Sequence, residues 1–237
     1  MKTYKYISPI FIAIEGLDGS GKSTISKLVA EKIGAKLLKT PPDEFNRIRK
    51  QIDYYYRKCL EGSRLFYLST IFYASDIVLQ ELQNKRSVVI DRYWISSLVY
   101  NNSSIDDQDI IKLSRNVANP DLTIFLDVSK TKRLKRLISR NASITDADNL
   151  SRKHHNSLRN RYLDILQTIP KHKALVINND SIAIKDCFLK IEKAIENVRE
   201  IYHTNICSNS SDKSMLEQMP LLSQRRVERY GQSGRRI

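Results

Sequence analysis

FIAIEGLDGSGKST, residues 11–24, decides how this chain is read. An apolar run leads into a glycine-rich turn, then a lysine and two hydroxyls. The segment from Gly16 to Ser23 fits G-x-x-x-x-G-K-[ST], the phosphate-binding P-loop. Glycines let the backbone turn sharply, so consecutive N–H groups can point into one anion-sized hollow. A helix starting near Lys22 adds the positive end of its dipole. Lys22 is placed to reach the outer phosphates of a nucleotide, and the Ser23 hydroxyl to ligate Mg²⁺. The context agrees. Residues 9–14 read as a buried strand, and apolar residues over 23–33 recur at helical spacing.

Working outward, four more strand-like runs follow, at 36–39, 87–91, 122–127 and 174–178, with helical segments between them. Strands alternating with helices predict an α/β fold: a five-stranded parallel sheet with helices on both faces, in a P-loop NTPase arrangement. Ligands then sit at the carboxyl ends of the strands, where the P-loop, Asp91 and Asp127 all fall. The polar stretch SRNASITDADN, residues 139–149, separates two helical patterns and is expected to form a lid. The P-loop domain is expected over residues 1–204, with a polar, basic tail at 205–237.

The chain has 237 residues, enough for one α/β domain. No apolar run approaches the ~20 residues of a membrane helix. The first apolar run flows straight into the P-loop, so it is read as a strand and not as a signal peptide. Three scattered cysteines show neither a disulfide framework nor zinc spacing, which suits a reducing, cytoplasmic setting. The four histidines lie in polar stretches and are expected to be solvated. A net charge of +14 exceeds what a site for two phosphorylated substrates needs. No recognition motif accompanies it, so it reads as a solvated basic surface, and nucleic acid is not an expected partner.

A P-loop alone permits ATPases, GTPases and kinases. The base-reading N-K-x-D of a GTPase is missing; NNDS, residues 178–181, is the nearest string and lacks the lysine. VVIDRYWISSLVYN, residues 88–101, narrows the choice. It sets Asp91 beside Arg92 at a strand end, followed by Tyr93 and the hydroxyls of Ser96 and Ser97. The arginine can neutralise an acceptor phosphate while the acid holds a metal or its water.

GLDGSGKST, DRYWISSLVY and PDLTIFLDVS together resemble the thymidylate kinase family of P-loop nucleoside monophosphate kinases, over residues 9–198. LLKTPP, RLFYL, YASDI and IDRYW resemble the vertebrate mitochondrial UMP-CMP kinase branch of that family. The resemblance implies ATP and Mg²⁺ as cofactors and a pyrimidine nucleoside monophosphate as substrate, with a homodimer permitted and no membrane partner. Carried over by position, Gly16, Leu17, Asp18, Gly19, Ser20, Gly21, Lys22, Ser23 and Thr24 would bind ATP. Ser23 and Asp91 would hold the metal. Lys22, Asp91, Arg92 and a lid arginine would be catalytic. Arg140 is the first candidate for that last role, with Arg136 and Arg152 as alternatives. On the acceptor side the resemblance implies Asp18, Arg49, Arg64, Tyr73, Arg92, Ser97 and Tyr100, with Tyr73 stacking on the base and Tyr100 against the sugar. Ile77 stands where thymidylate kinases usually carry a thymine-contacting arginine, so a range that includes cytosine is expected. A strict dTMP kinase, a nucleotide-binding regulator and a nucleic-acid-binding kinase-like protein remain as rival readings.

Overall fold

A computed structural model describes residues 8–139 and 152–208. The chain divides into two units, residues 1–198 and 199–237, and all that follows on the site concerns the first.

Five parallel strands form one sheet in the order β2-β3-β1-β4-β5. They are β1 (Phe11–Glu15), β2 (Lys36–Lys39), β3 (Val88–Asp91), β4 (Leu122–Asp127) and β5 (Ala174–Asn178). Each lies within two residues of the apolar run that announced it. β1, β3 and most of β4 are buried, as a central parallel strand covered on both faces should be. The register sets Asp91 beside Ile14 and Lys39, and Glu15 beside Phe125, so these strand ends share one rim.

The helices are α1 (Lys22–Ile33), α2 (Asn46–Tyr55), α3 (Leu60–Gln83), α4 (Trp94–Val99), α5 (Asp107–Ser114), α6 (Lys130–Ile138), α7 (Arg152–Gln167) and α8 (Ile184–Ser208). The two-residue alternation of a strand sorts the core. Phe11, Ala13, Val88 and Ile90 pack against Leu68, Ile71, Ala74 and Val78 of α3, with Leu98 and Ile110 closing that layer. A second cluster joins Phe125 to Ile95 and Val99 of α4 and to Leu158, Tyr162 and Leu166 of α7. The expected domain boundary after residue 204 falls inside α8, which continues to Ser208. Residues 209–237 lie outside the described residues.

Glu15 couples the sheet to α4. Its side chain is wholly buried. One carboxylate oxygen accepts the N–H of Tyr93 (2.9 Å) and of Ser96 (3.4 Å), at the N-terminus of α4. The other accepts the Ser96 hydroxyl (2.5 Å) and, more weakly, that of Tyr162 (3.4 Å). The carboxylate thus satisfies N–H groups that a short helix leaves orphaned. Burial pushes its pKa up, and the bonds from Ser96 and Tyr93 oppose that rise. Glu15→Ala should lower the unfolding free energy by about 1–3 kcal/mol. Urea denaturation reads this directly, and an unchanged midpoint would show that the carboxylate does not hold α4.

Candidate active site

The P-loop folds as its glycines allow. Gly19 has φ 79° and Gly21 φ 95°, a region open to glycine at little cost. Gly21 caps α1 with no side chain bonding back to the helix, so the first amides of α1 are not claimed by a side-chain cap. The outward carbonyls of the loop are claimed instead. Arg133 Nε donates to Asp18 O (2.6 Å), and Arg136 Nη1 to Gly19 O (3.3 Å) and Ser20 O (3.2 Å). Asn179 Nδ2 also donates to Ser20 O (2.8 Å), and Arg136 Nη2 to Asn179 O (3.0 Å). A Cβ at Gly19 would stand 3.1 Å from Arg133 O, so α6 rests directly on the loop. The carbonyls are thus held from behind, and Ser20 N closes the turn on Leu17 O (3.1 Å).

A cavity of about 820 Å³ opens beside this loop. It runs from Asp18, Lys22 and Ser23 to the facing surfaces of α3 and α4. Lys22 is buried, and its Nζ donates to Leu17 O (3.0 Å). Burial and then the charge of Arg92 press its pKa down to about 8, against the pull of Asp18, Asp91 and Glu15. Ser23 donates its hydroxyl to Asp91 Oδ2 (2.7 Å), while Asp91 Oδ1 is buried with no partner among the described residues.

These two groups fit a Mg²⁺ ion. No set of three or more His, Cys, Asp or Glu among the described residues could hold a metal alone. A hydroxyl, one carboxylate with an idle oxygen, water and nucleotide phosphates are the donors Mg²⁺ prefers.

Arg92 is the most constrained residue in the cavity. Its backbone is left-handed, φ 68°, which an arginine adopts only when its surroundings insist. Arg92 N donates to Ile14 O (3.0 Å), and Thr40 donates its hydroxyl to Arg92 O (2.9 Å). The guanidinium pairs with Asp18 and lies over the Tyr100 ring, 5.3 Å from its centre. Burial works to lower the pKa of Arg92, but Asp18, Tyr100 and Tyr162 together outweigh it and the net direction is up. Burial likewise works to raise Asp18, yet Arg92 and Lys22 hold that carboxyl below the usual range.

Of the residues expected at the site, Asp18, Gly19, Gly21, Lys22, Ser23, Asp91, Arg92, Arg49, Arg64, Ser97 and Tyr100 all border the cavity. Thr24 follows on the exposed side of α1, and Leu17 and Ser20 are buried behind the loop. Arg49 lies near Asp53, 3.7 Å away. Arg140 and the segment 140–151 lie outside the described residues, as does the side chain of Arg152. Arg136, the other lid candidate, is taken up by the carbonyls of the P-loop.

Tyr73 is not brought to the cavity. It is exposed, with its ring against Phe45 (5.2 Å between centres). Tyr67 and Ile71 border the cavity instead. The sequence explains the slip. FYLSTI (66–71) and FYASDI (72–77) share the pattern F-Y-x-S-x-I six residues apart. Six residues turn a helix by about 240°, so only one copy can face inward. His155, expected to be solvated, is 4% exposed and its Nδ1 lies 2.7 Å from Arg133 Nη1. Sequence reasoning also missed Glu15, Arg133 and Asn179. Asn179 belongs to the NNDS string weighed as a base reader, and it braces the loop.

The fold and the cavity define a P-loop nucleotide kinase, with a donor loop and an acceptor wall sharing one space. The thymidylate kinase family model matches residues 14–187, and the chain belongs to that family. A probable thymidylate kinase of Methanococcus maripaludis (strain C7) is 34% identical over 199 residues, covering 78% of this chain and 94% of that protein. One from Pyrococcus horikoshii is 31% identical over 176 residues, covering 68% of this chain and 84% of its own. Among solved structures, the thymidylate kinases of Candida albicans (TM-score 0.62, 21% identity, 81% of this chain and 94% of that one) and Ehrlichia chaffeensis (TM-score 0.61, 24% identity, 79% and 99%) share the fold. The enzyme is therefore a nucleoside monophosphate kinase, a phosphotransferase that uses ATP and Mg²⁺. Among the described residues no helix is long and apolar enough to cross a membrane.

The depressed pKa of Lys22 gives a pH test with two opposite signs. The folded chain holds this proton less tightly than the unfolded one, so stability should rise with pH between about 8 and the ordinary lysine value. ATP binding needs the charged form, so kcat/KM for ATP should fall over the same interval. Thermal melts and initial rates across pH 7–10 read both, and Lys22→Met should abolish the rise in stability.

Proposed function

We propose that the chain transfers the γ-phosphoryl group of ATP to a pyrimidine nucleoside monophosphate, with a range that takes in cytosine as well as thymine or uracil. The observation that carries this reading is the cavity itself. It joins a P-loop carrying Lys22 to a wall carrying Arg92. Moving the six-residue match onto the inward copy leaves the conclusion about specificity in place. The isoleucine that borders the cavity is then Ile71, which can neither donate to a carbonyl nor repel an amine. The motifs shared with the UMP-CMP kinase branch favour the same range.

Phosphoryl transfer asks little covalent chemistry of a protein; it asks for in-line positioning and cations around the developing charge. The acceptor oxygen is already ionised, so no side-chain base is required. The loop amides and Lys22 bind the outer phosphates of ATP. Arg92, held by Asp18 and the Tyr100 ring, fixes the acceptor phosphate opposite them. Ser23 and Asp91 would hold Mg²⁺, whose charge would help neutralise the phosphates. Tyr67 offers its ring to the base, with its hydroxyl tied to Asp53 (2.7 Å). Ser97 offers an adaptable polar contact.

Incubation with Mg-ATP and each of dTMP, dUMP, UMP, CMP and dCMP tests the range. At least one cytosine nucleotide should be turned over within about tenfold of dTMP. One methyl group alone gives only about 1–3 kcal/mol of discrimination in an apolar pocket. A hundredfold or greater preference for dTMP over every other acceptor would return the enzyme to a strict thymidylate kinase. Arg92→Ala should lower kcat/KM for every acceptor by roughly 10²-fold or more, as for other preorganised charges. A loss below threefold would place the acceptor phosphate elsewhere.

A further inference from the structure

Arg64 stands in α3 one turn before Tyr67 and two before Ile71, on the face that borders the cavity. It is 6% exposed, yet its Nε and Nη2 have no hydrogen-bond partner among the described residues. Those two N–H groups lie along one edge of the planar guanidinium and point the same way. Buried donors are rarely left unmatched, least of all charged ones. A parallel pair of them on a cavity wall is a fork for two acceptors set side by side.

The groups that handle phosphate form a separate cluster. Lys22, Asp18, Asp91 and Arg92 gather at the P-loop and act on one another's ionisation. Arg64 answers to other neighbours. Burial lowers its pKa to about 10, Asp107 raises it and Arg161 lowers it further, so it stays charged at neutral pH. Arg161 is committed to Leu98 O (2.8 Å), Asn101 O (3.1 Å) and Asp107 Oδ2 (2.8 Å), at the C-terminal end of α4. Arg64 shares its face of α3 with Tyr67, one turn on, where the reading above places the base of an acceptor anchored on Arg92.

Pyrimidine edges differ in what they show to such a fork. Cytosine carries O2 and N3 side by side, both acceptors. Uracil and thymine carry an N3–H donor between two carbonyls, so one arm of the fork would meet another donor. We propose that Arg64 reads the O2/N3 edge of a cytosine nucleotide and so sets the acceptor preference of the site. This rests on the kinase reading above and names the residue behind its range.

The test compares Arg64→Gln with the wild type on dCMP, dUMP, dTMP and dGMP. The glutamine amide sets one donor beside one acceptor, the pattern of a uracil or thymine edge. The ratio of kcat/KM for dCMP over dUMP should fall roughly 10- to 100-fold, the discrimination of one bidentate base contact. Equal losses on every acceptor would overturn the proposal and assign Arg64 to the phosphate. An unchanged ratio would overturn it as well. A wild type that prefers dGMP to dCMP would give the fork to the O6/N7 edge of guanine, against the proposal. Should the variant fail to fold, calorimetry on the wild type decides. Cytidine, which has no phosphate, should bind at least tenfold more tightly than uridine, and equal binding would refute the assignment. Absence of any kinase activity in the wild type would instead sink the reading beneath it, an outcome distinct from all of these.

Discussion

The ion pair between Arg92 and Asp18 is the contact on which the site depends. Two cations, the buried Lys22 and the partly buried Arg92, stand near each other, and burial and then the charge of Arg92 depress the lysine's pKa. Without a phosphate between them they would repel across a desolvated space. Asp18, one residue before the sharpest part of the P-loop, stands against both and is held ionised by them. The left-handed backbone of Arg92 delivers its guanidinium to that carboxylate. It costs conformational energy that the bonds to Ile14 and Thr40 offset. On the proposed function, a nucleotide phosphate would take the place of the carboxylate as the counter-charge, the preorganisation that phosphoryl transfer requires.

The supports run backward from there into the fold. β1 ends in Glu15, whose carboxylate fixes α4 and thereby the positions of Ser96, Ser97 and Tyr100. β4 ends in Asp127, held by Arg159 of α7 through a bidentate pair (2.8 and 2.6 Å). α6 leans on the P-loop through Arg133 and Arg136. The ends of β1 and β4 are thus tied to helices that carry or brace cavity residues.

Much of this was legible in the sequence because it is written in short, local patterns. Apolar runs bounded by turns located all five strands, and the P-loop and the Asp91-Arg92 pair both fall on one cavity. Two kinds of information were not local. The inward face of α3 depends on the helix's rotation against the sheet. A doubled F-Y-x-S-x-I pattern left that rotation ambiguous, and Tyr67, not the expected Tyr73, borders the cavity. Glu15, Arg133 and Asn179 act through partners 78 to 159 residues away. A carboxylate at the end of an otherwise apolar strand was the one visible sign of the first. Arginines one turn apart on α6 gave no sign that they face a backbone and not a ligand. Buried His155 was hidden in the same way, by a partner on another helix.

The central claim is that donor and acceptor nucleotides meet in one cavity between the P-loop and the α3–α4 wall. Its most direct test is the affinity of a bisubstrate compound, adenosine and a pyrimidine nucleoside joined through a polyphosphate chain, measured by calorimetry with Mg²⁺. The account predicts binding at least about 10²-fold tighter than ATP alone, because the second nucleoside binds at high effective concentration. Binding no tighter than ATP would contradict it.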